Sequence, residues 1–244
     1  MAFDTNNQSQ NKTVLRTRSD AQVGPIDMGL RAHMLKVYNY MASALALTGV
    51  VAMFTASSET MMQTIFGSPL SWVVMLAPFG FMLALTFGIN KMSLKTAQMV
   101  FWAFAIVMGI SMASIFMIYT GASIARVFFI TAGTFAGMSL YGYTTKKDLT
   151  SMGSFLMMGL IGLIIASVVN IFLQSPALYW VISIAGVGIF VGLTAYDTQK
   201  IKLLYAEADG NETSTKKALM GALTLYLDFI NLFIMLLRLF GDRR

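Results

Sequence analysis

The sequence predicts an all-α integral membrane protein, built as a bundle of seven transmembrane helices. Of the 244 residues, 57% are hydrophobic and only 11% are charged, whereas a soluble domain has about 25% charged residues. The charged residues also cluster. The apolar runs between them approach the roughly 20 residues that one helical span requires. Seven such runs occupy most of the chain, so no large domain fits outside the membrane.

The seven runs are predicted to be helices rather than strands. Spanning strands alternate apolar and polar residues over about ten positions, whereas these runs are apolar on every face and about twice as long. A helix also satisfies its own backbone hydrogen bonds, which lipid cannot do. The predicted spans cover residues 34–56, 70–90, 97–119, 124–143, 155–173, 178–204 and 218–240.

Basic residues and aromatic rings mark the ends of these runs, as is typical of membrane–water interfaces. These residues mark where each apolar run begins or ends, and most consecutive runs are separated by only a short loop. The markers are Arg31 before the first run, Lys91 after the second, Tyr119 closing the third, Lys146 and Lys147 between the fourth and fifth, Tyr179 opening the sixth and Lys217 before the seventh.

Residues 1–30 are expected to form a disordered cytosolic tail, and residues 31–244 the seven-helix membrane domain. The tail is rich in polar residues such as Asn6, Asn7 and Gln8. A secretory signal peptide would instead carry an apolar core in this stretch. Low hydrophobicity of this kind is typical of disordered segments.

The distribution of Lys and Arg predicts that the N-terminus is cytosolic. Basic residues occupy the N-terminal region and the loops after the second, fourth and sixth runs, whereas the loops after the first, third and fifth runs have none. The net charge of +6 therefore reflects topology, and we expect no nucleic acid partner. A seventh run that crosses fully places Arg238, Arg243 and Arg244 outside, and a re-entrant run returns them to the cytosol. We expect full crossing.

The absence of cysteine and the single histidine exclude several kinds of chemistry. No cysteine means no disulfide, thiolate metal site or cysteine nucleophile. The single histidine, His33, cannot form a cluster of histidines that binds a metal. It also argues against a hydrolase of the Ser-His type. We interpret His33 as a solvated residue ahead of the first span. The 20 methionines are expected to fill the core.

Two acids, Asp197 and Asp228, lie inside apolar runs. An ionisable group at such depth costs about 2.5–3.5 kcal/mol on insertion scales, and usually faces the bundle interior or a wet cavity. Asp228 lies about 16 Å along its helix from Lys217, so the two acids can meet. Paired carboxylates share a proton and titrate as a unit, which predicts a pH-sensing or ion-binding site. The same oxygens make the pair a candidate metal site for Ca²⁺.

Two alternatives accompany this prediction. Each aspartate could simply hydrogen-bond its neighbours, and Arg126 in the fourth run is either a cationic partner for the pair or a side chain that snorkels to the outer surface. The neighbours in question are Thr194, Thr198, Tyr226 and Asn231.

Three stretches of sequence resemble the Bax inhibitor-1 family, also called the transmembrane Bax inhibitor motif family. They are GLTAYDTQKIK in the sixth run, LYLDFINLFIMLLRLFG in the seventh, and YGYTTKKDLTSMGSFLMMGLIGLIIASVVNIF. The third is similar to the bacterial YccA-like branch. The resemblance implies a seven-helix bundle with the last helix central, and a pair of aspartates, Asp197 and Asp228 here, that binds a proton or Ca²⁺. The family's bacterial leak model also uses an arginine on the second helix, and the second run here contains none.

Two functions follow from the resemblance. Family members are associated with pH-sensitive Ca²⁺ leak and with suppression of cell death, which implies a cation leak channel of the bacterial inner membrane. YccA-like members are associated with a membrane-bound AAA protease, which implies the alternative, a non-transporting regulator that binds another membrane complex. We expect no cofactor; Ca²⁺ would be a transported or bound ion.

An enzyme is not expected. Intramembrane aspartyl proteases also carry a Tyr-Asp pair on one span, which Tyr196 and Asp197 match. Asp228, however, follows Leu-Tyr-Leu where those enzymes have Gly-x-Gly, and no proline follows Pro176 to form their later Pro-Ala-Leu element.

Overall fold

The computed structural model describes residues 28–244, so residues 1–27 of the predicted tail lie outside the described residues. The described part of the chain is almost entirely helical, and its one β feature is an isolated bridge between Tyr119 and Arg243. The helices are α1 (Met28–Ser57), α2 (Glu59–Phe66), α3 (Leu70–Gly88), α4 (Leu94–Met112), α5 (Ile115–Ile118), α6 (Gly121–Thr144), α7 (Thr150–Leu173), α8 (Pro176–Leu203) and α9 (Asn211–Phe240).

Seven of these helices are long and apolar enough to cross a membrane: α1, α3, α4 together with α5, α6, α7, α8 and α9. The predicted all-helical membrane fold is therefore confirmed. Several helices begin earlier than the apolar runs that predicted them, most clearly α1 at Met28 and α9 at Asn211. The added turns of α9 are polar, and the pair Lys216–Glu212, four residues apart and 2.8 Å between charged atoms, supports them.

Short polar caps set where several helices start. The hydroxyls of Ser93, Thr120 and Ser175 each accept a hydrogen bond from a backbone N–H in the first turn of the helix that follows. Pro176 occupies the first position of α8, where its missing N–H costs nothing. These caps satisfy backbone groups that would otherwise be left without partners at the membrane surface.

Helix α9 is the most enclosed of the seven spanning helices. In its most apolar 18-residue segment 72% of residues are buried, against 11–33% in the other six. It packs against α1, α3, α4, α6 and α8, whereas α3 and α7 are the most exposed to lipid. Residues of α9 are therefore the ones best shielded from lipid.

Both ends of α9 are fixed by contacts to opposite ends of the bundle. Near its start, Thr215 accepts a hydrogen bond from Lys36 in the first part of α1. Beyond its end, the N–H of Thr120 donates to the Asp242 carbonyl at 3.0 Å, in the loop that joins α5 to α6. We call the end that carries Lys36, Lys200 and Lys217 the lysine-rich end, and the end that carries Tyr119 the far end. The unbroken helix between them agrees with full crossing.

Glycines mark some, but not all, of the close contacts between helices. Gly133, Gly137 and Gly188 have no neighbour near the position of a Cβ. Tight approaches occur at Gly142, which meets the Ala195 backbone, and at Gly153, which meets the Tyr196 ring. Helices α6 and α7 therefore both press against α8 just before Asp197.

We expect cysteines at the two ends of α9 to react from opposite sides of the membrane. The native chain has no cysteine, so Asn211→Cys and a cysteine added after Arg244 each give a single site. If the lysine-rich end is cytosolic, an impermeant thiol reagent applied to right-side-out vesicles will label only the second. Labelling at position 211 would show that the protein has the opposite orientation, and protection of both sites would show that α9 is re-entrant.

We expect Gly142→Ala to destabilise the bundle because the new methyl group collides with the backbone of α8. Overpacking of this kind costs about 1–3 kcal/mol. Gly137→Ala, on the same helix with open space around it, is the matched control and should leave the thermal unfolding midpoint in detergent unchanged or slightly raised. Equal midpoints for the two variants would contradict the close contact between α6 and α8.

Candidate functional site

Asp197 of α8 and Asp228 of α9 come together inside the bundle. Their carboxyl groups lie within hydrogen-bonding reach of each other. Only 9% of Asp197 and 5% of Asp228 is exposed. Because α8 and α9 pack side by side along the chain's last hairpin, two acids separated by 31 positions in sequence become direct neighbours.

The polar neighbours proposed as alternative partners are engaged elsewhere. Thr194 donates to the Phe190 carbonyl and Thr198 to the Thr194 carbonyl, both within α8. Asn231 donates to the Leu227 carbonyl at 2.8 Å, and Tyr226 pairs with Thr48. Among the described residues, the carboxyl groups therefore have each other as partners rather than these side chains.

One oxygen of the pair is left without a partner. Asp228 Oδ2 is buried and has no hydrogen-bond partner among the described residues. A buried polar atom in this state is costly unless a proton, a water molecule or an ion reaches it. Two adjacent carboxyl groups can hold one shared proton, or can lose it and offer several oxygens to a cation.

A cavity of about 440 Å³ reaches the pair from the lysine-rich end. Asp197 forms part of its wall, whereas Asp228 is not part of that wall. The cavity is bounded by the ends of α3 and α8 and by the first turns of α1 and α9. Its polar wall residues are His33, Asn90, Asp197, Lys200, Thr213, Lys216, Lys217 and Thr224.

Acids neutralise two of the three lysines in this cavity. Lys217 Nζ lies 2.6 Å from Asp209, and Lys216 Nζ lies 2.8 Å from Glu212. Lys200 lies over the Tyr196 ring, with its Nζ 5.8 Å from the ring centre, and its charge acts on Asp197. The entrance is therefore less positive than its composition suggests.

His33 is buried, which makes its interpretation as a solvated residue wrong. Only 5% of it is exposed, and its Nδ1 has no hydrogen-bond partner among the described residues. Its ring lies 5.6 Å from that of Tyr205, between centres. Helix α1 begins six residues ahead of the apolar run that predicted it, which brings His33 into the bundle and against the cavity.

Beyond the pair, the bundle is tightly packed toward the far end. The stretch of α9 that follows Asp228 consists largely of buried apolar side chains, and Met235 fits against Gly186 of α8. The cavity at the lysine-rich end reaches Asp197, whereas these buried side chains lie between Asp228 and the far end, so a passage along this helix requires the section to open. The buried apolar residues are Phe229, Ile230, Leu232, Phe233, Met235, Leu236 and Leu237.

The structure does not bring Arg126 to the aspartates. Its guanidinium lies 2.9 Å from the Asp242 carboxylate and 3.3 Å from the Phe240 carbonyl, in an exposed position at the far end. Phe240 is twelve residues from Asp228 on one helix, about 18 Å at 1.5 Å per residue. Arg126 instead ties α6 to the segment after α9, which agrees with a side chain that reaches the membrane surface.

Sequence reasoning missed Lys200, a basic residue that lies in the same cavity wall as Asp197. Lys200 follows Asp197 by three positions, and residues three apart share a face of a helix, so the signal was present. Lys91, at the end of the second predicted span, is not part of the cavity wall, although its neighbours Ile89 and Asn90 are.

The two carboxyl groups alone do not complete the coordination shell of a Ca²⁺ ion. In the described part of the chain, no group of three or more His, Cys, Asp or Glu side chains is placed to hold a metal. Ca²⁺ takes six to eight oxygen ligands, and two carboxyl groups supply at most four. A Ca²⁺ ion at the pair would therefore keep several water molecules, for which the adjoining cavity has room.

Comparison with known proteins assigns this chain to a family. Residues 30–244 match the family described as inhibitor of apoptosis-promoting Bax1. The chain is 53% identical to the protein RP147 of Rickettsia prowazekii, over 89% of this chain and 92% of that one. It is 46% identical to the inner membrane protein YbhL of Escherichia coli K12, over 93% and 98% of the two chains. The predicted resemblance is confirmed, and the chain belongs to the Bax inhibitor-1 family of membrane proteins.

Proposed function

We propose that this protein is a pH-sensitive Ca²⁺ leak channel of the bacterial inner membrane, with Asp197 and Asp228 as its ion and proton site. The observation that carries the proposal is the contact between two buried carboxyl groups at the inner end of a cavity. Acids at such depth are costly, and a site for a cation or a proton accounts for both of them. The relative named as an inner membrane protein, similar over nearly its whole length, supports the location.

Protons and Ca²⁺ compete for the pair in this mechanism. With one proton shared, the pair carries one negative charge; once the proton leaves, it carries two and attracts Ca²⁺ more strongly. Lys200, which lies in the cavity wall with Asp197, repels cations and so opposes their accumulation at the entrance of the cavity. A Ca²⁺ ion enters through the cavity, exchanges part of its water for carboxylate oxygens, and proceeds when the packed section beyond Asp228 opens.

The orientation of the leak follows from the basic loops. The loops at the lysine-rich end carry the chain's lysine clusters, and such loops are retained in the cytosol. The cavity in this structure therefore faces the cytosol, and the packed section separates the pair from the outside. This arrangement corresponds to a closed channel whose ion site is filled or emptied from within.

We expect Asp197→Asn and Asp228→Asn each to flatten the dependence of Ca²⁺ leak on pH. In the wild type, the Ca²⁺ concentration at half-maximal flux should fall as pH rises, by up to about tenfold per pH unit where one proton is displaced. Each Asn variant removes the shared proton, and the double variant should add little more because the two sites are coupled. The measurement is Ca²⁺ flux into proteoliposomes across a pH series.

Arg126→Gln is the matched control for charge removal, because Arg126 lies at the far end and is paired with Asp242. Its flux should keep the wild-type pH profile. Wild-type pH dependence in both single aspartate variants would contradict the role of the pair. Absence of Ca²⁺ flux in the wild type would instead favour the second function, a regulator that binds another membrane complex such as an AAA protease.

We expect Asp209→Asn to lower the rate of Ca²⁺ leak by a few-fold at low ionic strength. The substitution leaves Lys217 without its carboxylate partner and makes the cavity mouth more positive. The effect should fade at about 1 M salt, where charges are screened within about 3 Å. The double variant Asp209→Asn/Lys217→Gln restores the net charge and should recover the rate; failure to recover would show that Asp209 acts through folding rather than through charge.

A further inference from the structure

A second, larger cavity lies on the lipid-facing side of the bundle, between α1 and α6. It has a volume of about 760 Å³, and its floor is Phe229 of α9. We call it the α1–α6 groove. Its walls include Leu45 of α1 and Phe128 and Ala136 of α6, and it shares no wall residue with the cavity that reaches Asp197.

The groove exists because α1 and α6 are not closely packed against each other. Both pack against α9, and the direct tie between them is a hydrogen bond of 2.7 Å between the Tyr38 hydroxyl and Ser139. Small side chains on the α6 wall, Ala132 and Ala136, deepen the space. Something apolar has to occupy this volume in a membrane, because water gains nothing from an almost wholly apolar wall.

The length of the groove matches one leaflet of a bilayer. Along α1 it runs from Arg31 to Ala46, about 22 Å at 1.5 Å per residue. A bilayer is about 40–45 Å thick with its headgroup regions, so one leaflet with its headgroups is about 20–22 Å thick. The groove thus starts at the lysine-rich end and stops before the far surface. That shape accommodates lipid chains entering from one side better than the full length of a partner helix.

The lysine-rich end of the groove is positively charged. Arg31 is exposed and forms part of the wall there. Tyr143 is also part of the wall, and Lys202 contacts it. Lys202 Nζ donates a hydrogen bond to the Tyr143 carbonyl at 2.8 Å and lies 5.2 Å from the centre of the Tyr143 ring. A guanidinium at the membrane surface favours a phosphate with a net negative charge.

We propose that the α1–α6 groove is a binding site for one anionic phospholipid. Its acyl chains lie between α1 and α6 on the floor formed by Phe229, and its phosphate lies at Arg31. The lipid replaces the packing that α1 and α6 do not make with each other. This site is separate from the aspartate pair, and the proposal does not depend on Ca²⁺ transport.

Native mass spectrometry of the delipidated protein in mild detergent tests this proposal. Phosphatidylglycerol and phosphatidylcholine with identical acyl chains are added in parallel, with inorganic phosphate as a third arm. We expect one phosphatidylglycerol retained per chain, several-fold weaker retention of phosphatidylcholine, and none of free phosphate. Arg31→Gln should remove the preference between the two lipids, whereas Lys95→Gln, which removes a charge from the first turn of α4 at the same end, should keep it.

Blocking the groove separates this site from lipid bound elsewhere on the surface. Ala136→Trp fills the groove from α6 and should abolish retention of the lipid. Gly137→Trp adds the same ring at nearly the same depth, outside the groove wall and in open space, and should not. Ala46→Trp blocks from α1, and circular dichroism and elution as a single species verify that each variant is folded.

The proposal fails if the blocking variants retain as much phosphatidylglycerol as Gly137→Trp. It also fails if the wild type is a dimer that Ala136→Trp and Ala46→Trp dissociate, since the groove would then bind a second copy of the chain. Binding of free phosphate that matches the lipid would assign the site to the anion alone and would equally overturn it.

Discussion

The contact between the carboxyl groups of Asp197 and Asp228 is the constraint on which the rest of this structure depends. Two acids in spanning helices must be shielded from lipid, and this requires α9 to lie inside the bundle and α8 to lie against it. Glycines on α6 and α7 allow these two helices to approach α8 closely. Gly142 and Gly153 bring α6 and α7 against the turn just before Asp197, which fixes the position of that carboxyl group.

The surroundings of the aspartate pair differ between the two ends of the bundle. Toward the lysine-rich end lies a polar cavity whose lysines are partly neutralised by Asp209 and Glu212. Toward the far end, buried apolar side chains follow Asp228 along α9. This asymmetry, with a cavity on one side of the pair and packed side chains on the other, is what the proposed leak channel requires in its closed state.

The sequence predicts the features that depend on local pattern or on large energies. Long apolar runs predict the spans, and the cost of an acid in such a run singles out Asp197 and Asp228. Contacts between distant parts of the chain are not encoded locally: Thr48 meets Tyr226, and Arg126 meets Asp242. The burial of His33 was missed because Gly29, Arg31 and His33 interrupt the apolar pattern in the first turns of α1, although these turns continue the helix.

The lipid-facing groove and the aspartate pair meet at neighbouring residues of α9. Phe229 follows Asp228 directly, and its ring lies 5.5 Å from that of Phe128 and 5.6 Å from that of Phe135, between centres, on the wall of the groove. The Tyr38 hydroxyl, also in that wall, connects through Ser139 to Thr198, the residue after Asp197. Phe229 therefore contacts α6 on one side and follows the acid pair on the other. The proposed lipid would pack against the same residue that the proposed opening of the section beyond Asp228 would have to move, so the two proposals meet at this ring.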